Sequence, residues 1–151
     1  MKIKGFSMIE MIVTLVIISI LSVIAAPNIK SVLIQEHLNQ SASDLIRVLQ
    51  KAQSRALLEK EVMRVFIGTE PSLADAELSW MPSGEAYIRG GSVSIYIGKN
   101  GYIQTNATNA AFAGVKDYII CSKGGTHSRK VTVNRLGVIT DSGVRENCDA
   151  S

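Results

Sequence analysis

The sequence has only two cysteines and only one long apolar run. Two cysteines exclude a disulfide-rich mini-protein. The lack of a second run excludes a multi-span membrane protein. An excess of one charge is also missing: 16 Lys and Arg face 13 Asp and Glu, a net charge of +3. That balance is too even for a strongly electrostatic nucleic-acid binder. No CxxC occurs, and His37 and His127 have no companions at ligand spacing, so no metal site is expected. No GxSxG, HExxH, GxxxxGK or GxGxxG is present, so neither a catalytic centre nor a cofactor is expected.

What is there fits one domain in 151 residues. Hydrophobic residues make up 46% and charged ones 19%, with a mean hydropathy of +0.20. The chain is too apolar to be disordered and slightly too apolar for a plain soluble domain. The excess lies near the N-terminus, where the 19 residues from Met11 to Ile29 carry no charge. As a helix that run is long enough to span a bilayer. Lys2 and Lys4 precede it, which keeps the N-terminus cytoplasmic by the positive-inside bias.

A cleaved signal peptide and a simple signal anchor both fit a run of this length. Ala25-Ala26 offers small residues for signal cleavage, but Pro27 follows and makes a poor context. Glu10 argues against both readings. It stands among Phe6, Met8, Ile9, Met11 and Ile12, where a carboxylate costs roughly 2.5–3.5 kcal/mol on insertion scales. A charge placed there calls for a positive partner at the same depth.

The Lys-rich leader, Gly5, Phe6, Glu10 and the apolar helix with Pro27 resemble a type IV pilin or pseudopilin over about the first 30 residues. The resemblance implies that a prepilin peptidase cuts the Gly5–Phe6 bond and methylates the new amine of Phe6. It makes Glu10 the fifth mature residue, which pairs with a neighbour's N-terminal amine during assembly. The physics agrees, because an amine and a carboxylate neutralise each other where either alone is expensive. The leader carries Lys2 and Lys4 away, so the formal charge falls from +3 to +1.

Beyond Pro27, residues Leu38, Ala42, Leu45, Leu49, Ala52 and Ala56 recur at alternating steps of four and three, a one-sided helical stripe. From Phe6 to Leu58 a continuous helix would reach roughly 80 Å, with a kink or local melting expected at Pro27. After Lys60 the period changes to two. Strands are expected at 62–67, 77–81, 86–89, 93–97, 102–105, 117–121, 130–134 and 138–140, with a loop over 68–76. Lys99-Asn100-Gly101 signals a two-residue hairpin turn. Ser83-Gly84 and Ser142-Gly143 read as turn chemistry. The expected organisation is a leader at 1–5, a membrane and assembly half-helix at 6–28, an amphipathic half-helix at 29–60 and a β-rich head at 61–151. The fold class is α+β, with the helix packed on the head.

Cys121 and Cys148 form an even pair on the extracytoplasmic side of the membrane segment, where disulfides persist. Lys116, Lys123, Arg129, Lys130 and Arg135 cluster in the last third with Asp117 the one acid among them. This reads first as a solvated face and second as phosphate contact by Lys123, Arg129, Lys130 and Arg135. Tyr102, Phe112 and Tyr118 are close in sequence, without a spacing that defines a stacking platform. Asn106-Ala107-Thr108 fits a glycosylation sequon, a weak three-residue pattern.

The segment Gln50–Ala56, the strand near Val62–Ile67 and Val131–Gly137 resemble the GspH/FimT/FimU group of minor pilins and secretion pseudopilins. That resemblance implies three roles. The first is a structural minor pilin similar to FimU, which primes pilus assembly and sits at the tip among other minor pilins and the major pilin. The second is a DNA-binding minor pilin similar to FimT. That group's GRxR motif is absent here, where Gly137-Val138-Ile139-Thr140 stands. The third is a type II secretion pseudopilin similar to GspH. In each case the chain is the substrate of an enzyme rather than an enzyme. It begins in the bacterial inner membrane with the head in the periplasm, and in the first two cases ends at the cell surface.

Overall fold

A computed structural model describes residues 7–68, 78–104 and 114–148; the side chains of 24–28 and of Glu146 lie outside that description. Its elements are one helix, α1 (Met8–Glu59), and eight strands: β1 (Met63–Ile67), β2 (Leu78–Trp80), β3 (Tyr87–Ile88), β4 (Val93–Ile97), β5 (Ile103–Gln104), β6 (Val115–Cys121), β7 (His127–Asn134) and β8 (Ile139–Glu146). The fold is α+β, as expected. The chain divides into two compact units, Met1–Leu33 and Ile34–Ser151, and α1 contributes to both.

The first unit is helical from Met8 onward. Helical structure continues through Pro27. Proline's fixed φ is compatible with a helix, so its missing N–H removes one bond without unwinding the turn. Among the described residues no helix is long and apolar enough to cross a membrane.

In the second unit the six stripe residues, Leu38 to Ala56, are buried to within 1%. They pack with Met63, Val65, Ile67, Ile95, Ile97, Ile103, Ile120, Val131 and Val133 in one core. Each fully buried Leu or Ile contributes roughly 1.5–3 kcal/mol. Ser41 is buried within the stripe, and its hydroxyl accepts the Ser83 N–H at 2.9 Å, which satisfies both groups.

Two four-stranded sheets complete the unit, in the orders β2-β1-β4-β5 and β3-β6-β7-β8. Pairing is antiparallel except for β1 with β2. Met63, Val65 and Ile67 of β1 alternate inward. On the opposite face Arg64 lies over Phe66, 4.3 Å from the ring centre, and 5.4 Å from that of Tyr96 directly across in β4. Cys121 and Cys148 are disulfide-bonded, with their Cα atoms 5.6 Å apart. The bond ties the second residue after β8 to the end of β6.

The hairpin between β4 and β5 differs from the expected two-residue turn. Gly101 N–H donates to Gly98 at 2.8 Å, and Gly98 N–H donates to Tyr102 at 2.8 Å. Only Gly101 takes a positive φ, at 78°. The loop therefore has three residues, Lys99 to Gly101, with glycine at the left-handed position. The Asn100 side chain accepts the Tyr102 N–H at 3.3 Å, which holds the carboxamide beside the turn. Ser142-Gly143 lies inside β8, not in a turn.

Candidate functional site

Gly5 and Phe6, the expected cleavage site, and the rest of the leader lie outside the described residues, as do the Asn106 sequon and Phe112. Next to them in sequence, Ser7 stands at the start of α1. The Ser7 carbonyl accepts N–H bonds from Glu10 at 3.0 Å and Met11 at 3.3 Å, so Ser7 opens the helix. Ser7 and Glu10 also have the spacing of a capping box, and a carboxylate in the first turn favours the positive end of the helix dipole. Sequence reasoning missed this second use of Glu10, although Ser-x-x-Glu before an apolar run signals it.

Glu10 is exposed. So are the apolar side chains on every side of the helix around it, from Met8 at 85% through Leu15 at 62% to Val23 at 76%. A helix that is apolar all round belongs in an apolar surrounding. Its few hydroxyls suit that surrounding. Thr14 donates to the Met11 carbonyl at 2.8 Å, Ser19 to Leu15 at 2.7 Å and Ser22 to Ile18 at 2.8 Å. Each hydroxyl is satisfied within its own helix. Glu10 is the one charged side chain between Met8 and Val23.

Residues 1–26 match the prokaryotic N-terminal methylation motif. The protein is type IV pilin-like. The match covers the leader, the expected Gly5–Phe6 junction, Glu10 and most of the uncharged run, and it marks the pilin-like chain as the substrate of a processing enzyme. Comparison with curated proteins and with solved structures returned no match.

The head of this pilin-like chain does not gather the four residues considered for DNA contact. Lys123 sits in the β6–β7 turn and pairs with Glu85 at 2.9 Å. Lys130 and Thr132, on the outer face of β7, both bond Asp117 at 2.8 Å. Those bonds hold the Asp117 carboxyl below its ordinary value of 3.8, the Lys130 bond contributing most. Arg129 lies on the opposite face, where it contacts the Asn39 side chain of α1 and the Asp141 carboxylate of β8.

An irregularity in the β7–β8 pairing explains the Arg129 placement. Arg129 pairs with Val144 and Val131 with Asp141. Two residues of β8, Ser142 and Gly143, thus oppose Lys130 alone, a β-bulge. Gly143 takes φ 74°, and its N–H donates to Asp141 at 3.0 Å. Asp141 then shares the inner face with Val131, diagonal to Arg129.

Arg135 stands apart from these pairs, in the β7–β8 turn. Together with Lys60, Lys99, Asn100, Tyr102, Ile103 and Gln104 it lines a cleft of about 610 Å³. Sequence reasoning named Arg135 but missed Lys60 and Lys99. The signal was a cation beside a turn glycine in both Lys99-Asn100-Gly101 and Arg135-Leu136-Gly137. Tyr118 is 2% exposed and belongs to the core, so it cannot stack on a base, and burial raises its phenol well above the usual range. Among the described residues no group of His, Cys, Asp and Glu is placed to hold a metal.

Proposed function

We propose that this chain is a minor type IV pilin, a structural subunit of the complex that primes pilus assembly and sits at the tip. The observation that carries the reading is the methylation motif joined to a helix that is apolar on every side with Glu10 in its first turn. Before assembly the helix lies in the bacterial inner membrane and the head in the periplasm. Prepilin peptidase cuts between Gly5 and Phe6 and methylates the Phe6 amine. In the filament Glu10 faces the N-terminal amine of a neighbouring subunit, and the helices of minor and major pilins supply the apolar surrounding that this one lacks. The likeness of Gln50–Ala56, the strand near Val62–Ile67 and Val131–Gly137 to the GspH/FimT/FimU group of minor pilins and secretion pseudopilins supports a minor over a major subunit. The ion pairs of Lys123, Arg129 and Lys130 weigh against the DNA-binding alternative at those positions.

Glu10→Ala tests the proposal. The variant is expected to be cleaved and methylated normally, because it keeps Gly5 and Phe6, yet to be depleted from sheared pili. The measurement is the ratio of processed protein in the membrane to that in the filament fraction. Incorporation equal to wild type would overturn the role given to Glu10.

A further inference from the structure

Three cations from distant parts of the second unit line one cleft: Lys60 just after α1, Lys99 in the β4–β5 loop and Arg135 in the β7–β8 turn. Among the described residues no acidic side chain lines it. The three are exposed, while other basic residues of the head answer to carboxylates: Lys123 to Glu85, Arg129 to Asp141, Lys130 to Asp117 and Arg55 to Glu59.

The fold brings the three together through backbone contacts. The Arg135 carbonyl accepts the Ile103 N–H at 3.1 Å, which fastens the β7–β8 turn to the free edge of β5. The Gln53 side chain of α1 donates to the Gly137 carbonyl at 2.7 Å. Gly137, at φ 79°, lies so close that an added Cβ would meet the Gly101 carbonyl oxygen at 2.8 Å and collide with Gln53. The two loop tips and the helix end therefore meet at one rim. Lys60 holds φ 57° as the helix ends, a conformation non-glycine residues seldom take. The floor is built with similar care. Gln104 is 9% exposed, and its carboxamide lies across Gly98, where any Cβ would strike it. Tyr102, 44% exposed, forms part of the wall, and Asn100 adds a second carboxamide.

We infer that this cleft binds one anionic group, a carboxylate or phosphate, carried on a sugar-sized polar molecule such as a unit of an acidic glycan. Lys60, Lys99 and Arg135 hold the charge, Asn100 meets hydroxyl groups, and Tyr102 packs on the ring. The volume suits a small molecule. A nucleic-acid duplex needs cations spaced along an open surface to follow successive phosphates. Here three cations line one concavity, which suits a single charge. The inference stands apart from the assembly role, because it uses no residue of the first unit.

The test is titration of the full chain, in a neutral polyoxyethylene detergent, with galacturonate, inorganic phosphate and galactose. The readout is the amide NMR signals of Asn100, Tyr102 and Leu136. Saturable shifts with galacturonate or phosphate are expected, and the tighter of the two identifies a carboxylated or a phosphorylated ligand. Lys99→Gln and Arg135→Gln should each weaken binding about ten-fold. Lys123→Gln, whose cation lies outside the cleft, should leave it unchanged. Unshifted spectra with both anions, equal binding of galactose, or full affinity in Arg135→Gln would overturn the inference. So would tighter, steeply salt-dependent binding of a 20-base-pair duplex that Arg135→Gln abolishes.

Discussion

Asp141 stands opposite Val131 on the inner face of its sheet, and its carboxylate holds the Arg129 guanidinium against α1. The Arg129 bond lowers the Asp141 carboxyl below 3.8, and the Gly143 N–H adds to the effect. A carboxyl with a depressed folded-state pKa stabilises the fold fully above its unfolded value. The contribution is lost as pH falls below 3.8 through the folded value. The Asp141 side chain is 24% exposed, so the pair is only partly screened. Asp141→Asn should cost roughly 1–3 kcal/mol at pH 7, the range for hydrogen bonds to a charged group. Urea midpoints at pH 7 and pH 3 provide the check: the variant should lose less stability than wild type between them. Equal losses would mean that Arg129 is held by Asn39 and packing alone.

At the scale of elements, the disulfide joins the end of β6 to Cys148, just after β8. Arg89 donates to the Cys148 carbonyl at 3.1 Å, and the Cys148 N–H donates to Gly125 at 2.8 Å. Closing a loop with a sequence separation of 27 is worth roughly 3–4 kcal/mol in the chain-entropy picture. Reduction, or Cys121→Ser with Cys148→Ser, should lower the stability of the head by about that amount, measured by urea unfolding. A much smaller loss would show that β8 is held mainly by its ladder to β7. The helix stripe was legible in sequence because burial on one side of a helix leaves a 3.6-residue period, and all six stripe positions are buried. Strands β1 to β5 fall within two residues of their expected spans for a similar reason. The length of β8 was not legible. Asp141, Ser142 and Gly143 give no alternation, since the strand lies at the sheet edge and carries the bulge. Strand order was also hidden, as was the parallel pairing of β1 with β2, because pairing depends on contacts far apart in sequence. The Lys60, Lys99 and Arg135 cleft depends on such contacts too. Glu10 was legible because a charge in an apolar run is conspicuous without any tertiary structure.

The molecule as a whole carries two different solvent requirements. Its first unit exposes apolar side chains all round, and its second unit closes a core of its own. Such a chain needs an apolar surrounding for its first unit, which in the proposed role a bilayer and then a helical bundle provide. Deleting the gene and scoring sheared surface pili, DNA uptake and export of folded enzymes in the same cells separates the possible destinations. Loss of pili together with uptake, with export spared, is the expected outcome for a priming subunit. Intact pili with lost uptake would favour the DNA-binding role, and intact pili with blocked export the secretion role. The expectation rests on charge placement. A DNA-binding head needs cations available to phosphates, and Arg129 and Lys130 are held by Asp141 and Asp117 across their own sheet. If uptake alone were lost, Lys60, Lys99 and Arg135 would become the first residues to substitute, because no carboxylate among the described residues lines their cleft.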